Sequence, residues 1–241
     1  MKILIAISDS FCANFIRGQG NFLVKNGHEV VIVSGPGEEI DLLEKNEPVK
    51  VIRIPFNRDI SIFSDIVNLI KIVKTLKKEK PDLINAGNPK TGFLFSIAHK
   101  IYGKQPLIFT LRGIRSDTLI GLKRKIILFT EYITCKFANL VIAISPSLKQ
   151  HAIQVGIVEN SKCVVIGKGS SNGVDLNYYT LTDDIYRSSD LLLNQYNIPT
   201  SSFKIIYVGR ITRDKGLIEL LEAFQLCLKK NADFDRRLRW R

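Results

Sequence analysis

Short apolar runs alternate with segments of helical periodicity along the first 167 residues. Seven runs are rich in aliphatic and β-branched residues on both faces, which is typical of strands covered on both sides. They are KILIAI (2–7), EVVIVS (29–34), VKVIRI (49–54), DLINA (82–86), PLIFTL (106–111), LVIAIS (140–145) and CVVIG (163–167). Candidate helices lie between them, at 15–26, 62–80, 91–102, 121–138 and 146–155. This alternation predicts an α/β fold with an open, doubly wound parallel sheet.

The pattern loosens after residue 167. The stretch GKGSSNGVDLNYYTLTD (167–183) is typical of a linker or extended turn, because it is rich in Gly, Ser, Asn and Asp. A short helix is predicted near 184–195, then a new strand, FKIIYVG (203–209), and a helix at 216–229. One strand and one helix cannot bury their apolar faces alone, so this second unit is expected to be incomplete.

These features divide the chain into three parts. We expect a first domain at 1–180, a linker with a short helix at 181–202, and the start of a second domain at 203–241. The last residues, FDRRLRWR (234–241), place four arginines in six positions beside the chain's single tryptophan. This shift in composition favours a truncated or altered reading frame, with a basic tail as the alternative.

The charge balance indicates anionic partners. There are 35 Lys and Arg against 23 Asp and Glu, a net charge of +12. Four scattered cysteines and three histidines form no zinc pattern, so we expect no metal and reduced thiols. No apolar run reaches the roughly 18–20 residues of a membrane-spanning helix. No helix-turn-helix, zinc finger or aromatic RNA-binding run is present, so nucleic acid is not an expected partner. We expect a cytoplasmic protein.

A loop with two cations between two glycines follows the predicted strand at 203–209. In VGRITRDKG (208–216), Gly209 and Gly216 allow the backbone to approach a ligand closely. Arg210 can hold a phosphate with its planar guanidinium, and Lys215 adds a compact charge. The alternative is a pair of solvated loop cations. Position before a helix N-terminus, at the carboxyl end of a strand, favours a phosphate site.

Neither of the common nucleotide fingerprints explains such a site. The segment after the first strand, SDSFCANFIRGQG (8–20), is not G-x-G-x-x-G. GNPKTG (87–92) has the glycine spacing of a P-loop, but Phe93 and Leu94 stand where Lys and Ser or Thr are required. We expect no cofactor.

A second set of polar residues lies after strands of the first domain. Asn14 and Arg17 are near the start of the first helix, and Arg112, Arg115 and Asp117 follow the fifth strand. Because loops at the carboxyl ends of parallel strands emerge at one edge, we expect these residues to converge on one crevice. The alternative is a local ion pair between Arg115 and Asp117, which would contribute little.

Two helices are basic and amphipathic. The helix at 62–80 carries four lysines beside an apolar stripe, and the helix at 121–137 opens with three consecutive cations. Each is typical of an ordinary helix covering a sheet with its cations in water. Together with the net charge, they favour peripheral binding to an anionic membrane surface, the inner face of the cell membrane.

The sequence resembles the retaining GT-B glycosyltransferases of family 4. The likeness lies in VGRITRDKGLIELLEAF (208–224), AISPSLKQHAIQVGI (143–157), SNGVDLNYY (171–179) and the N-terminal layout of 2–34. It implies a Rossmann-like acceptor domain followed by the start of a nucleotide-sugar donor domain, in which Arg210 and Lys215 hold the donor diphosphate. It also implies sugar transfer to a glycan or polyprenyl-diphosphate-linked acceptor in capsule or O-antigen synthesis, without a metal.

Two departures from the family pattern matter. The family's E-x7-E glutamate pair lies well downstream of its R-x4-K-G loop, and this sequence stops before it. We therefore expect the 241 residues alone to have little or no transferase activity. Many members also carry a histidine after the fifth strand, where this chain has Arg112 and Arg115. Two alternatives remain open: a fragment of a GT-B nucleotide-sugar epimerase, and a non-catalytic module that binds an anionic lipid or polymer.

Overall fold

A computed structural model describes residues 1–57, 61–103, 105–174, 176, 179–201 and 203–230. The chain divides into two compact units, the first being Met1–Val174 and the second beginning at residue 175. The arginine-rich segment 234–241 lies outside the described residues. The domain boundaries at 180 and 202 stay predictions.

The first unit is built on a parallel sheet, and all seven strands predicted there are confirmed. They are β1 (Lys2–Ala6), β2 (Glu29–Ser34), β3 (Lys50–Arg53), β4 (Leu83–Ala86), β5 (Leu107–Leu111), β6 (Leu140–Ala143) and β7 (Cys163–Val164). Their order across the sheet is β3-β2-β1-β4-β5-β6-β7, and every neighbouring pair is parallel. The Rossmann-like α/β prediction is therefore confirmed.

Six α-helices connect these strands. They are α1 (Gln19–Lys25), α2 (Glu38–Asn46), α3 (Ile62–Glu79), α4 (Pro89–Tyr102), α5 (Gly121–Phe137) and α6 (Pro146–Val155). Five match predicted segments, whereas α2 was missed. Its two buried apolar residues, Ile40 and Leu43, leave only a weak periodic signal in a charged stretch.

The predicted helix at 15–26 is wrong in its first turn. Residues Ser10–Phe15 instead form a 3₁₀ helix, whose start is capped by the side chain of Asp9 accepting from the backbone N of Phe11. Gly18 then adopts a left-handed φ of 82°, which interrupts the chain before α1. Asn14 therefore belongs to the 3₁₀ helix and Arg17 to the turn that follows it.

Two buried clusters lie on opposite faces of the sheet. Leu4 and Ala6 of β1 face a cluster that includes residues of α3, α4, α5 and α6. Ile3 and Ile5, which alternate with them, face a smaller cluster containing Ile40 of α2 and residues of the 3₁₀ helix. The helices after β1 and β4 thus lie on opposite faces of the sheet.

Both edges of the sheet are short. At one edge, β3 has four residues, and its Arg53 contacts Asp41 and Glu44 of α2. Lys50 of the same strand donates to Glu79 of α3 at 2.7 Å. At the other edge, β7 has two residues.

The second unit contains α7 (Asp183–Gln195), a 3₁₀ helix (Arg213–Lys215) and α8 (Leu217–Lys230). The predicted strand at 203–209 is wrong for the described residues, since 203–208 join no sheet. Ile206 and Val208 are 81% and 91% exposed. A strand needs a hydrogen-bonded neighbour, and the described part of this unit offers none. In neither unit do the described residues include a helix with the length and apolar character needed to cross a bilayer.

Candidate functional site

The loops after β1 and β4 meet at the carboxyl edge of the sheet. β1 and β4 are adjacent in the sheet, but the helices that follow them lie on opposite faces. Open α/β sheets bind ligands in the crevice that forms where the strand order reverses in this way. The backbone N of Ser8 donates to Oδ1 of Asn88 at 3.3 Å, and Nδ2 of Asn88 donates to Sγ of Cys12 at 3.4 Å. The two loops are therefore tied together at this crevice.

Arg112, directly after β5, lies half-buried in this crevice. Its Nη1 donates to the carbonyl O of Gly87 at 2.6 Å, and its Nε donates to Oγ of Ser171 at 3.2 Å. The guanidinium also lies 5.7 Å from the ring centroid of Phe15. All three contacts are neutral, and burial lowers the pKa of Arg112. The described residues supply Arg112 with no carboxylate partner.

A desolvated guanidinium without an acidic partner is costly to bury, and an anion in the crevice would offset that cost. The planar guanidinium suits a phosphate group. Gly87 matters here because a Cβ at this position would overlap Nη1 of Arg112. The first turn of α4 begins at Pro89, so the positive end of this helix dipole also lies at this edge. This arrangement is chemically suited to hold a phosphate group.

Asn14 and Arg17 form a pair beside the crevice. Nη2 of Arg17 donates to Oδ1 of Asn14 at 2.7 Å, and Nδ2 of Asn14 donates to the carbonyl O of Phe11 at 3.0 Å. Asn14 precedes Phe15, the ring under Arg112. The pair is therefore joined to the crevice through Phe15, and Arg17 also lines a separate hollow with residues of α1.

Arg115 and Asp117 take other directions. Both belong to a 3₁₀ helix, Arg115–Thr118, whose first backbone N donates to Oε1 of Glu131 at 2.6 Å. Oδ2 of Asp117 lies 2.9 Å from Nε2 of His151 on α6. The side chain of Arg115 lines a separate groove on the helical face. The five predicted residues are therefore spread over three places, which differs from the single crevice we expected.

That groove lies among α3, α4 and α5 and has a volume of about 310 Å³. Its apolar walls include Ile62, Ile66, Leu69, Phe93, Ile97 and Ile126. Three charged residues also line it: Arg115 and the pair in which Nζ of Lys90 donates to Oδ1 of Asp65 at 2.7 Å. We call it the α3–α5 groove.

Glu131 of α5 holds the backbone of Arg115 in place. Its side chain is buried on α5, and burial raises the pKa of its carboxyl group. Because Oε1 accepts from the backbone N of Arg115, the turn that carries Arg115 is held against α5.

The loop at 209–216 has a defined backbone. The hydroxyl of Tyr207 and the backbone N of Thr212 both donate to the carbonyl O of Arg210, each at 2.9 Å. Gly216 adopts a left-handed φ of 69° between the 3₁₀ turn and α8, a conformation that favours glycine. The side chains of Arg210 and Lys215 are exposed. The loop thus presents two cations just before a helix of 14 residues.

The sequence analysis did not identify Gly87, Asn88 or Ser171 as crevice residues. Gly87 and Asn88 directly follow β4, beside the strand at which the order reverses, and that position was the available signal. Ser171 lies 59 residues from Arg112, and nothing local in the sequence points to the contact. Asp175, Asn177 and Tyr178, from the turn at 171–179, lie outside the described residues.

Comparison with known proteins decides the family. The sequence model described as Glycosyltransferase Family 4 matches residues 13–178, more than half of the chain. The chain belongs to glycosyltransferase family 4. It is 36% identical over 229 residues to the capsular polysaccharide biosynthesis glycosyltransferase CapM of Staphylococcus aureus, which covers 95% of this chain and 58% of CapM.

Other similarities are more distant, and those to solved structures concern the fold. The UDP-Gal:α-D-GlcNAc-diphosphoundecaprenol α-1,3-galactosyltransferase of Escherichia coli is 27% identical over 72% of this chain and 43% of its own length. Anabaena Alr3699/HepE, solved with UDP and glucose, has a TM-score of 0.69 at 22% identity over 94% of this chain and 58% of that one. A glycosyltransferase from Rickettsia africae has a TM-score of 0.68 at 23% identity, over 94% of this chain and 57% of that one. The GT-B fold assignment is confirmed, and the chain spans less than two thirds of these relatives.

Proposed function

We propose that the protein transfers a sugar from a nucleotide-sugar to a glycan or polyprenyl-diphosphate-linked acceptor in cell-surface polysaccharide synthesis. The observation that carries this proposal is the half-buried Arg112, held by neutral groups in a chain of this family. Support for the substrates comes from two relatives, whose names give capsule synthesis and a diphosphoundecaprenol-linked acceptor.

On the acceptor side, Arg112 binds a phosphate of the lipid-linked acceptor. The crevice beside it is lined by the β4–α4 turn, with Gly87 leaving room for the guanidinium. Asn14 and Arg17, which lie close to Phe15 in the chain, contact the sugar or a second phosphate.

On the donor side, the loop at 209–216 binds the diphosphate of the nucleotide-sugar. Arg210 and Lys215 offset the negative charge that develops on the leaving nucleoside diphosphate as the glycosidic bond breaks. Gly209 and Gly216 keep the backbone N–H groups accessible at the start of α8. The acceptor hydroxyl attacks from the face that the diphosphate leaves, which retains the anomeric configuration, and the leaving diphosphate takes the hydroxyl proton.

An anionic membrane surface is the proposed location of this chemistry. Ile120 and Leu122 are 89% and 74% exposed, and they precede three exposed cations at 123–125 in the first turn of α5. Apolar side chains next to cations are typical of segments that bind at an anionic lipid surface.

Calorimetric titration of the 241-residue chain with UDP, GDP and dTDP tests the donor side. We expect one of them to bind, and Arg210→Ala to weaken it about tenfold or more, since hydrogen bonds to charged groups contribute roughly 1.5–3 kcal/mol. Arg213→Ala is the matched control, because Arg213 is an exposed cation of the same loop outside the predicted set.

Equal losses in the Arg210 and Arg213 variants would contradict a specific diphosphate site. Binding of anionic vesicles with no response to any nucleotide would favour the non-catalytic lipid-binding module. The expectation of little turnover by these 241 residues alone stays a prediction, which nucleotide-sugars and a lipid-linked acceptor would test.

A further inference from the structure

The α3–α5 groove and the Arg112 crevice are neighbours along two short segments of the chain. Pro89 lines the groove, and two residues earlier the carbonyl of Gly87 accepts from Arg112. Arg115 lines the groove three residues after Arg112 itself. The α3–α5 groove therefore begins two to three residues along the chain from the proposed phosphate site.

The groove leaves large aliphatic side chains in water. Ile62, Ile66 and Ile126 line it and are 72%, 54% and 43% exposed. Contiguous apolar surface of this kind marks a binding site in soluble proteins. Its volume of about 310 Å³ is at the lower end of the range for small-molecule sites, ~300–1,000 Å³. That volume accommodates the first part of an apolar chain, which then continues over the exposed isoleucines.

The charged residues of the groove indicate which kind of apolar ligand it binds. The lining carries two cations, Arg115 and Lys90, and one carboxylate, Asp65, which accepts from Lys90. The exposed cations at 123–125 begin α5, so cations outnumber carboxylates among the described residues of this surface. A neutral apolar peptide would gain nothing from this arrangement. A chain with an anionic diphosphate at one end complements it, with the head group at Arg112 and the tail in the groove.

We propose that the α3–α5 groove binds the first isoprene units of the acceptor's polyprenyl chain while Arg112 binds its diphosphate. This inference rests on the proposed function, because it requires a lipid-linked acceptor. It makes the groove the place where a prenyl diphosphate is distinguished from a soluble diphosphate.

Calorimetry with farnesyl diphosphate and with inorganic pyrophosphate tests this inference, on the 241-residue chain in an Arg210→Ala background that removes the contribution of the loop at 209–216. We expect farnesyl diphosphate to bind at least tenfold more tightly, since burial of its apolar chain adds to the phosphate contact. Ile66→Glu should weaken the binding of farnesyl diphosphate about tenfold and leave the binding of pyrophosphate unchanged. Ile70→Glu is the matched control, because Ile70 lies one turn later on α3, is 51% exposed and does not line the groove.

Three results would overturn the inference: equal affinity for the two ligands, equal effects of the two glutamate variants, or a loss that extends to pyrophosphate. Vesicles of phosphatidylglycerol and phosphatidylcholine form a further arm. If Ile66→Glu weakens vesicle binding but not binding of farnesyl diphosphate, the groove serves insertion into the bilayer and not the acceptor. Nucleoside diphosphate titration of the chain with Arg210 intact keeps the two proposals separate, because a chain that binds farnesyl diphosphate but no nucleoside diphosphate would count against the donor site and not against the groove.

Discussion

Replacing Gly87 with alanine tests whether the position of Arg112, and not only its charge, creates the proposed phosphate site. A Cβ at residue 87 would overlap Nη1 of Arg112, which must then move away from the Gly87 carbonyl. The backbone of Gly87 is not in the left-handed region, so alanine is tolerated there. The displaced atom is the tip of a flexible side chain, and we expect the free energy of unfolding to change by less than ~1 kcal/mol.

The expected effect on binding is larger than the effect on stability. A hydrogen bond to a charged group contributes roughly 1.5–3 kcal/mol, and losing it corresponds to a ten- to hundredfold rise in Kd. Pyrophosphate titration should show this rise, in an Arg210→Ala background that removes the contribution of the loop at 209–216. Urea denaturation of the same samples would give the stability.

Gly113→Ala is the control, since a Cβ there meets nothing within 4 Å although residue 113 adjoins Arg112. It should bind pyrophosphate as the parent protein does. If Gly87→Ala also binds like the parent, Arg112 does not need its present position and the phosphate site is wrongly assigned. If both alanine variants bind equally weakly, the loss comes from a general disturbance of the crevice.

Two further predictions concern buried groups. Glu131→Gln keeps the acceptor for the Arg115 backbone N and removes a charge whose pKa is raised by burial. Because the pKa of the Glu131 carboxyl group is raised, the wild-type protein has its full stability at low pH and loses stability as the pH rises through that pKa. The stability of Glu131→Gln relative to the wild type should therefore be greatest at pH 7 and fall toward pH 4. Urea denaturation curves with the opposite trend would contradict this. Maleimide should modify exposed Cys227 first, whereas burial raises the pKa of Cys135 to about 12 and protects it. Rapid labelling that survives Cys227→Ser would contradict the buried placement of the other thiols.

The sheet could be predicted because its strands are apolar on both faces, and this pattern does not depend on how the side chains pack. The strand at 203–209 had the same composition and failed, since composition says nothing about whether a neighbouring strand is present. The missed helix α2 shows the reverse case, a charged segment stabilised by contacts such as Arg53 with Asp41 that lie outside its own periodicity.

The site divides along a similar line. Position after β5 was enough to predict that Arg112 lies at the carboxyl edge of the sheet. The separation of Arg115 and Asp117 was not predictable, because it depends on a 3₁₀ turn held by Glu131, 16 residues away in the sequence, and on His151 of α6. Contacts between distant segments decide where a side chain points, and a single sequence does not contain them.

The short edges of the sheet have a consequence for how the protein behaves at high concentration. A free edge strand offers backbone N–H and C=O groups to any other extended chain, and this is how sheets join into aggregates. Here one border provides two residues, and the other provides four whose Lys50 and Arg53 are already engaged with acidic side chains. A second molecule therefore finds almost no ladder to extend, and mutual repulsion at +12 opposes its approach.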